Sequence, residues 1–160
     1  MIRIAFSSRI RLRRLCALAL MAGLLAPALA AGAETPTPPV PDGYQLSLLI
    51  YATMTALDQA NATGNYSVLR DLAAPEFQRI NPEQKLSAVF AGYRERHVVL
   101  APVVLYQPRL VEEPRVAPEG LLRLRGFFPT KPLKIGFDLS YQIVGGAWRL
   151  MALSISPSES

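Results

Sequence analysis

Residues 133–143 read Leu133-Lys134-Ile135-Gly136-Phe137-Asp138-Leu139-Ser140-Tyr141-Gln142-Ile143, with apolar side chains at every second position. Strict alternation is what a strand with one buried face requires, because successive side chains point to opposite sides of the sheet. Gly145-Gly146 follows, and two glycines accept the positive backbone angles of a tight hairpin turn. Residues 147–155, opening Ala147-Trp148-Arg149-Leu150, are therefore predicted to return as the antiparallel partner. This hairpin decides the fold class.

Working outward, residues 120–128 give another strand, and residues 103–112 give a further one interrupted at Pro108, since proline removes a ladder donor. Upstream the period changes to that of a helix. Leu46, Leu49, Ile50, Thr53, Leu57 and Ala60 recur at helical spacing from residue 43 to 63, and Gly64 serves as the stop. Asn65 caps a second, short helix whose apolar side is Tyr66, Leu69 and Leu72, with Pro75 limiting its length. A third helix is predicted to start with Asn81 as cap and Pro82 as first residue. Its stripe is Leu86, Val89, Phe90 and Tyr93, with Arg94 and Arg96 at its end. The layout is α+β, with N-terminal helices packed on one face of a curved antiparallel sheet of about four strands.

The 160 residues carry a formal charge of +5, which raises the question of a nucleic-acid or membrane partner. Arg3, Arg9, Arg11, Arg13 and Arg14 all precede the first acid, Glu34, and from Glu34 onward twelve basic residues balance twelve acids. The excess belongs to residues 1–33, where an Arg-rich start, an apolar stretch from Leu15 to Ala26 and small residues near Ala30 and Ala33 follow in order. That order is the pattern of a secretory signal peptide. Cleavage after Ala30 and after Ala33 fit equally well, and the general secretory route suits the residues after Arg13-Arg14 better than the twin-arginine route. The expected location is periplasmic or secreted, with no membrane attachment after cleavage. Cys16 is the chain's one cysteine and would leave with the leader, so the mature domain is expected to have neither disulfide nor thiol chemistry. Residues 34–42 are proline-rich and predict a stiff extended tether. The domain is placed at residues 43–156, and residues 157–160 form a polar, serine-bearing tail.

The helix, short helix, helix and meander order, closing on Gly146-Ala147-Trp148-Arg149-Leu150, resembles the nuclear transport factor 2-like (cystatin-like) superfamily. Its last strand often reads glycine, any residue, tryptophan, a basic residue and an aliphatic. The likeness covers roughly residues 43–156, and Gly126-Phe127-Phe128-Pro129-Thr130 is similar to a run in small exported bacterial members without assigned activity. The resemblance implies a Trp148 buried between sheet and helices. It also implies a cleft that in the isomerases of this superfamily holds an acid on a sheet position, where the long strand here offers apolar side chains and points Asp138 the other way.

One histidine and no paired cysteines leave no ligand set of metal-binding spacing, so neither metal nor cofactor is expected. Phosphate-cradling glycine loops and nucleophile elbows do not occur. Two readings remain. In the first the domain is a non-catalytic binding or interaction module for a partner protein or a small apolar ligand. Phe127 then serves as an outward anchor beside Arg123 and Arg125 on the open sheet face, with a homodimer as one form of association and no nucleic-acid partner. In the second it is a small-molecule isomerase or lyase, with His97 or Asp58 as base and Tyr66, Tyr93 or Tyr106 as hydrogen-bond donor. His97 is equally a helix terminator, and the first reading is preferred.

Overall fold

The computed structural model describes residues 38–159. The expected signal peptide, its cleavage point and the first part of the tether lie outside the described residues. Helix α1, Gly43–Thr63, is the long helix that the periodicity predicts. Asp42 caps it by accepting the Gln45 N–H at 2.8 Å, and the Gln45 side chain reaches back to the Asp42 N–H, a capping box that satisfies two otherwise unpaired donors. At the other end the Gly64 N–H donates to the Ala60 carbonyl. Leu46, Ile50, Thr53, Met54, Leu57 and Ala60 form its buried side.

Four short helices follow: α2 Ser67–Asp71, α3 Pro75–Ile80, α4 Glu83–Val89 and α5 Ala91–Glu95. Asn65 organises the start of α2 by accepting from the Ser67 N–H at 2.9 Å. Leu72, placed by spacing on the buried side, is 60% exposed. Helix α3 was not legible: Pro75 does limit α2, but it also opens a new helix, where its missing N–H is harmless. Asn81 is not the cap of α4. Its side-chain amide donates backward to the Phe77 carbonyl at 3.0 Å and closes α3, while Pro82 occupies the cap position of α4. The expected third helix is divided at Phe90, which turns inward to stack on Tyr66 with ring centroids 5.9 Å apart and meets the edge of Tyr93 at 5.5 Å. Val89 is exposed instead of joining that stripe.

A 3-10 turn, Ala101–Leu105, occupies the start of the expected 103–112 strand, and the strand itself shrinks to β1, Arg109–Leu110. Pro108 precedes it and cannot donate to a ladder. Then come β2 Arg115–Val116, β3 Leu121–Phe128, β4 Leu133–Val144 and β5 Ala147–Glu159. All pairings are antiparallel in the order β1-β3-β4-β5, with β2 also on β3, so the sheet has five strands where about four were expected. Gly145 and Gly146 take φ of 58° and 79°, which is the conformation that a two-residue hairpin turn demands. Beyond residue 156 the chain continues as strand, pairing Pro157 with Ile135, Ser158 with Lys134 and Glu159 with Leu133.

Leu122, Leu124, Phe128, Ile135, Phe137, Leu139 and Tyr141 are buried on one sheet face and meet the buried side of α1 in a single core. The alternation holds along β4 until Ile143, which is 38% exposed where the strand runs past the helices. A register shift at Ser140/Tyr141 sets an irregularity into the β4–β5 ladder, and such bulges bend a strand and increase its twist. On the far side of β5 the Ala74 N–H donates to the Leu150 carbonyl at 2.8 Å, and the Tyr93 hydroxyl donates to the Ile155 carbonyl.

Candidate functional site

Where α1 and α2 cross the turn end of the β4–β5 hairpin, they leave a half-open cleft of about 280 Å³. Helix α1 supplies Leu49, Ala52, Thr53 and Ala56, α2 supplies Leu69, and Leu72 follows at its end. Tyr141 and residues 147–150 form the opposite side. The cleft exists because small residues, Ala52 and Ala56, stand on α1 where larger ones would fill the gap to the sheet. Trp148 is half-buried, forms its wall and packs against the core, whereas the resemblance implies a buried indole. Its partner across the hairpin is Ile143, at the exposed end of β4.

Two polar side chains stand at the inner end, and they satisfy one another. The Tyr141 hydroxyl donates to the Leu49 carbonyl at 2.9 Å and lies 2.9 Å from the Thr53 hydroxyl, which is left to donate to it. Burial pushes the Tyr141 phenol above its ordinary value, against a smaller opposite pull from Thr53. It is therefore a neutral donor at physiological pH. Neither a carboxylate nor an imidazole lines the cleft; its one charge is Arg149.

Asp58, Tyr93 and His97 are brought together around a different groove, between α1 and the end of α5, which Asn61 and Arg94 also line. Asp58 and the Tyr93 hydroxyl are engaged in structural tasks. Asp58 Oδ1 accepts the N–H groups of Leu100 at 2.9 Å and Ala101 at 3.0 Å, and so caps the 3-10 turn. The Tyr93 hydroxyl is held by β5. His97 is exposed, terminates α5 through its N–H to the Arg94 carbonyl at 3.0 Å, and takes φ of 52°. Tyr66 is elsewhere in the core, where its hydroxyl donates to Asn61 Oδ1 at 2.6 Å and accepts from Arg94. The Tyr106 carbonyl accepts from Tyr51 at 2.7 Å.

On the open face of the sheet, Arg123, Arg125 and Phe127 share one side, as alternation predicts. Arg123 binds Asp138 through two hydrogen bonds, of 3.0 Å and 2.6 Å, and Arg125 reaches Glu112 at 3.0 Å. The Arg123 contact holds the Asp138 carboxyl below its ordinary value. Lys134 lies over the half-buried Phe127 ring at 5.4 Å. The acids thus offset the basic pair, and the ring already has a cation on it. The polar crevice at residues 112–115 is a concavity of four consecutive residues at the entry to β2.

Among the described residues no three His, Cys, Asp or Glu side chains converge as metal ligands, and no helix is long and apolar enough to cross a membrane. No family model, curated protein or solved structure matches this chain.

Proposed function

We propose that the protein is an exported, non-catalytic binding module, built on a nuclear transport factor 2-like frame, that holds a small apolar ligand in the cleft between α1, α2 and the β4–β5 hairpin. The observation that carries this reading is the composition of the cleft. Its walls are aliphatic and aromatic, and its two inner hydroxyls are bonded to each other. Ligand pockets are mostly apolar with a few fixed polar groups, and run to about 300–1,000 Å³. A cavity of about 280 Å³ suits a small molecule. The isomerase reading needs an acid or base aimed into a cavity, whereas Asp58 and Tyr93 are tied into the scaffold.

Trp148 is the chain's one tryptophan, so its emission reports on the cleft directly. Titration with the uncharged probe N-phenyl-1-naphthylamine should give saturable quenching of Trp148. Ala52 is exposed at the cleft wall, and Ala52→Trp, read by probe emission, should block binding without touching the core. Absence of saturable binding, or binding that survives Ala52→Trp, overturns the reading. Export is supported by the order of charged, apolar and small segments in residues 1–33. Intact mass of the secreted or periplasmic product should begin at Ala31 or Glu34.

A further inference from the structure

Arg149 is the charged member of an otherwise neutral cleft, and its guanidinium lies against Leu72, another residue of the cleft lining. Its guanidinium makes one long hydrogen bond, from Nη1 to the Leu72 carbonyl at 3.3 Å. Four of the other arginines of the domain face carboxylates: Arg70 holds Asp71, Arg79 holds Glu76, Arg123 holds Asp138 and Arg125 holds Glu112, while Arg94 and Arg96 are engaged by carbonyls and aromatic rings. Among the described residues no acid lies within ion-pair distance of Arg149. Most of its five donors are thus uncommitted, at the mouth of an apolar cavity where attraction to an opposite charge is stronger than in bulk water.

We infer that the ligand is a small aliphatic carboxylate, its chain against Leu49, Leu69 and Trp148 and its carboxylate on Arg149. The planar guanidinium fork matches a carboxylate with two parallel hydrogen bonds. One cation at the mouth matches one negative charge, which favours a monoanion over a phosphate dianion. This rests on the proposed binding role of the cleft and adds to it the class of ligand.

Octanoate and octanol, which share a chain and differ in charge, separate the two claims when titrated into the full chain and followed by Trp148 emission and calorimetry. Octanoate should bind about tenfold more tightly or better, as a charge-assisted pair requires, and its advantage should shrink with added salt. Arg149→Gln should bring octanoate down to the level of octanol and leave octanol unchanged; Arg149→Lys, which keeps the charge but not the fork, should fall between. Circular dichroism and the unfolding midpoint establish that each variant is folded. Equal affinities for acid and alcohol, or octanoate binding indifferent to Arg149→Gln, would overturn the carboxylate assignment while the apolar binding role stands. Failure of both molecules to bind overturns both claims, and octanoate binding that persists in Ala52→Trp places the acid outside the cleft and defeats the assignment.

Discussion

The Thr53 hydroxyl and the Tyr141 phenol stand 2.9 Å apart across the boundary between helix and sheet, and the phenol donates its own hydrogen bond to the Leu49 carbonyl. Leu49 lies four residues before Thr53, so its carbonyl is the acceptor that a threonine in an isolated helix would use. Tyr141 has taken that acceptor and bound β4 to α1 through it. Tyr141→Phe should destabilise the fold by about 1 kcal/mol, because the Thr53 hydroxyl can turn back to the carbonyl it lost. A double-mutant cycle with Thr53→Ala in urea should give a coupling of roughly 0.5–1 kcal/mol, and a coupling near zero would mean that the two hydroxyls do not act together. The raised phenol pKa adds a pH signature. Unfolded tyrosine ionises near pH 10, so this stability is intact below that pH and declines as the pH climbs toward the folded value. Tyr141→Phe should flatten the decline.

Trp148→Ala should cost about 1–2 kcal/mol. Fully buried aromatics lose about 3–5 kcal/mol on truncation, but Trp148 is a half-buried wall of an existing cavity, and less surface returns to water. Denaturant unfolding checks this, and a loss above about 4 kcal/mol would make the indole a core residue.

Gly126 faces the core, and a methyl group there would run into the Arg109 carbonyl of β1 and come within 2.8 Å of the Phe137 ring. Gly126→Ala should therefore destabilise by about 1–3 kcal/mol through overpacking. Because β1 has two residues, the strain should appear there first. Hydrogen exchange at the Val111 N–H, which donates to the Arg125 carbonyl at 3.0 Å, should accelerate. Unchanged stability and exchange would show that β1 shifts aside freely.

Asp138 has its pKa lowered by the hydrogen bond from Arg123 and by the charge of Arg123 and Arg125. A depressed carboxyl stabilises the folded state above its unfolded pKa of about 3.9 and ceases to do so as pH falls through the folded value. Both partners are partly in water, so the gain at pH 7 is at most about 1 kcal/mol and is weakened by salt. Asp138→Asn should lower the urea midpoint at pH 7, and the difference from the parent should narrow as the pH falls below about 4. A difference that does not narrow is not the ion pair.

His97 occupies the left-handed region with φ of 52°, a conformation that a side chain with a Cβ tolerates at a cost of about 1–3 kcal/mol. His97→Gly should leave thermal stability unchanged or raise it by up to about 1 kcal/mol, whereas His97→Val should lower it, since a branched Cβ is least suited to that region. A large loss on His97→Gly would show that the imidazole itself holds the structure together.

The parts of the fold legible in sequence were those in which one periodicity governs a long run. The β4–β5 hairpin declares itself through alternation and two glycines, and α1 through its stripe. Where short segments meet, one residue has two neighbours to serve and spacing cannot say which it chooses. Asn81 closes the helix behind it although its neighbours read as the start of the next. Residues 103–105 look like strand and form a 3-10 turn, because Asp58, some forty residues earlier, caps it. The candidate site depended on such distant placement. Asp58, Tyr93 and His97 do gather at one groove, but only the fold shows that Asp58 and the Tyr93 hydroxyl are already engaged and that His97 is exposed. The resemblance implies a cleft, but its lining was not legible because it is a gap created by Ala52 and Ala56, and small residues on a helix carry no signal of what fails to fill the space beside them.

The hydrogen bonds from Ala74 and Tyr93 to the outer carbonyls of β5 bear on what this chain does at high concentration. A thirteen-residue border strand would ordinarily be a template onto which a second molecule could zip. Here the helices occupy it at Leu150 and at Ile155, so an incoming backbone finds its register interrupted twice. The opposite border is divided between two-residue β1 and two-residue β2, too short to seed a growing ladder. The sheet is thereby protected at both borders against runaway stacking into fibres, without a disulfide or a closed barrel.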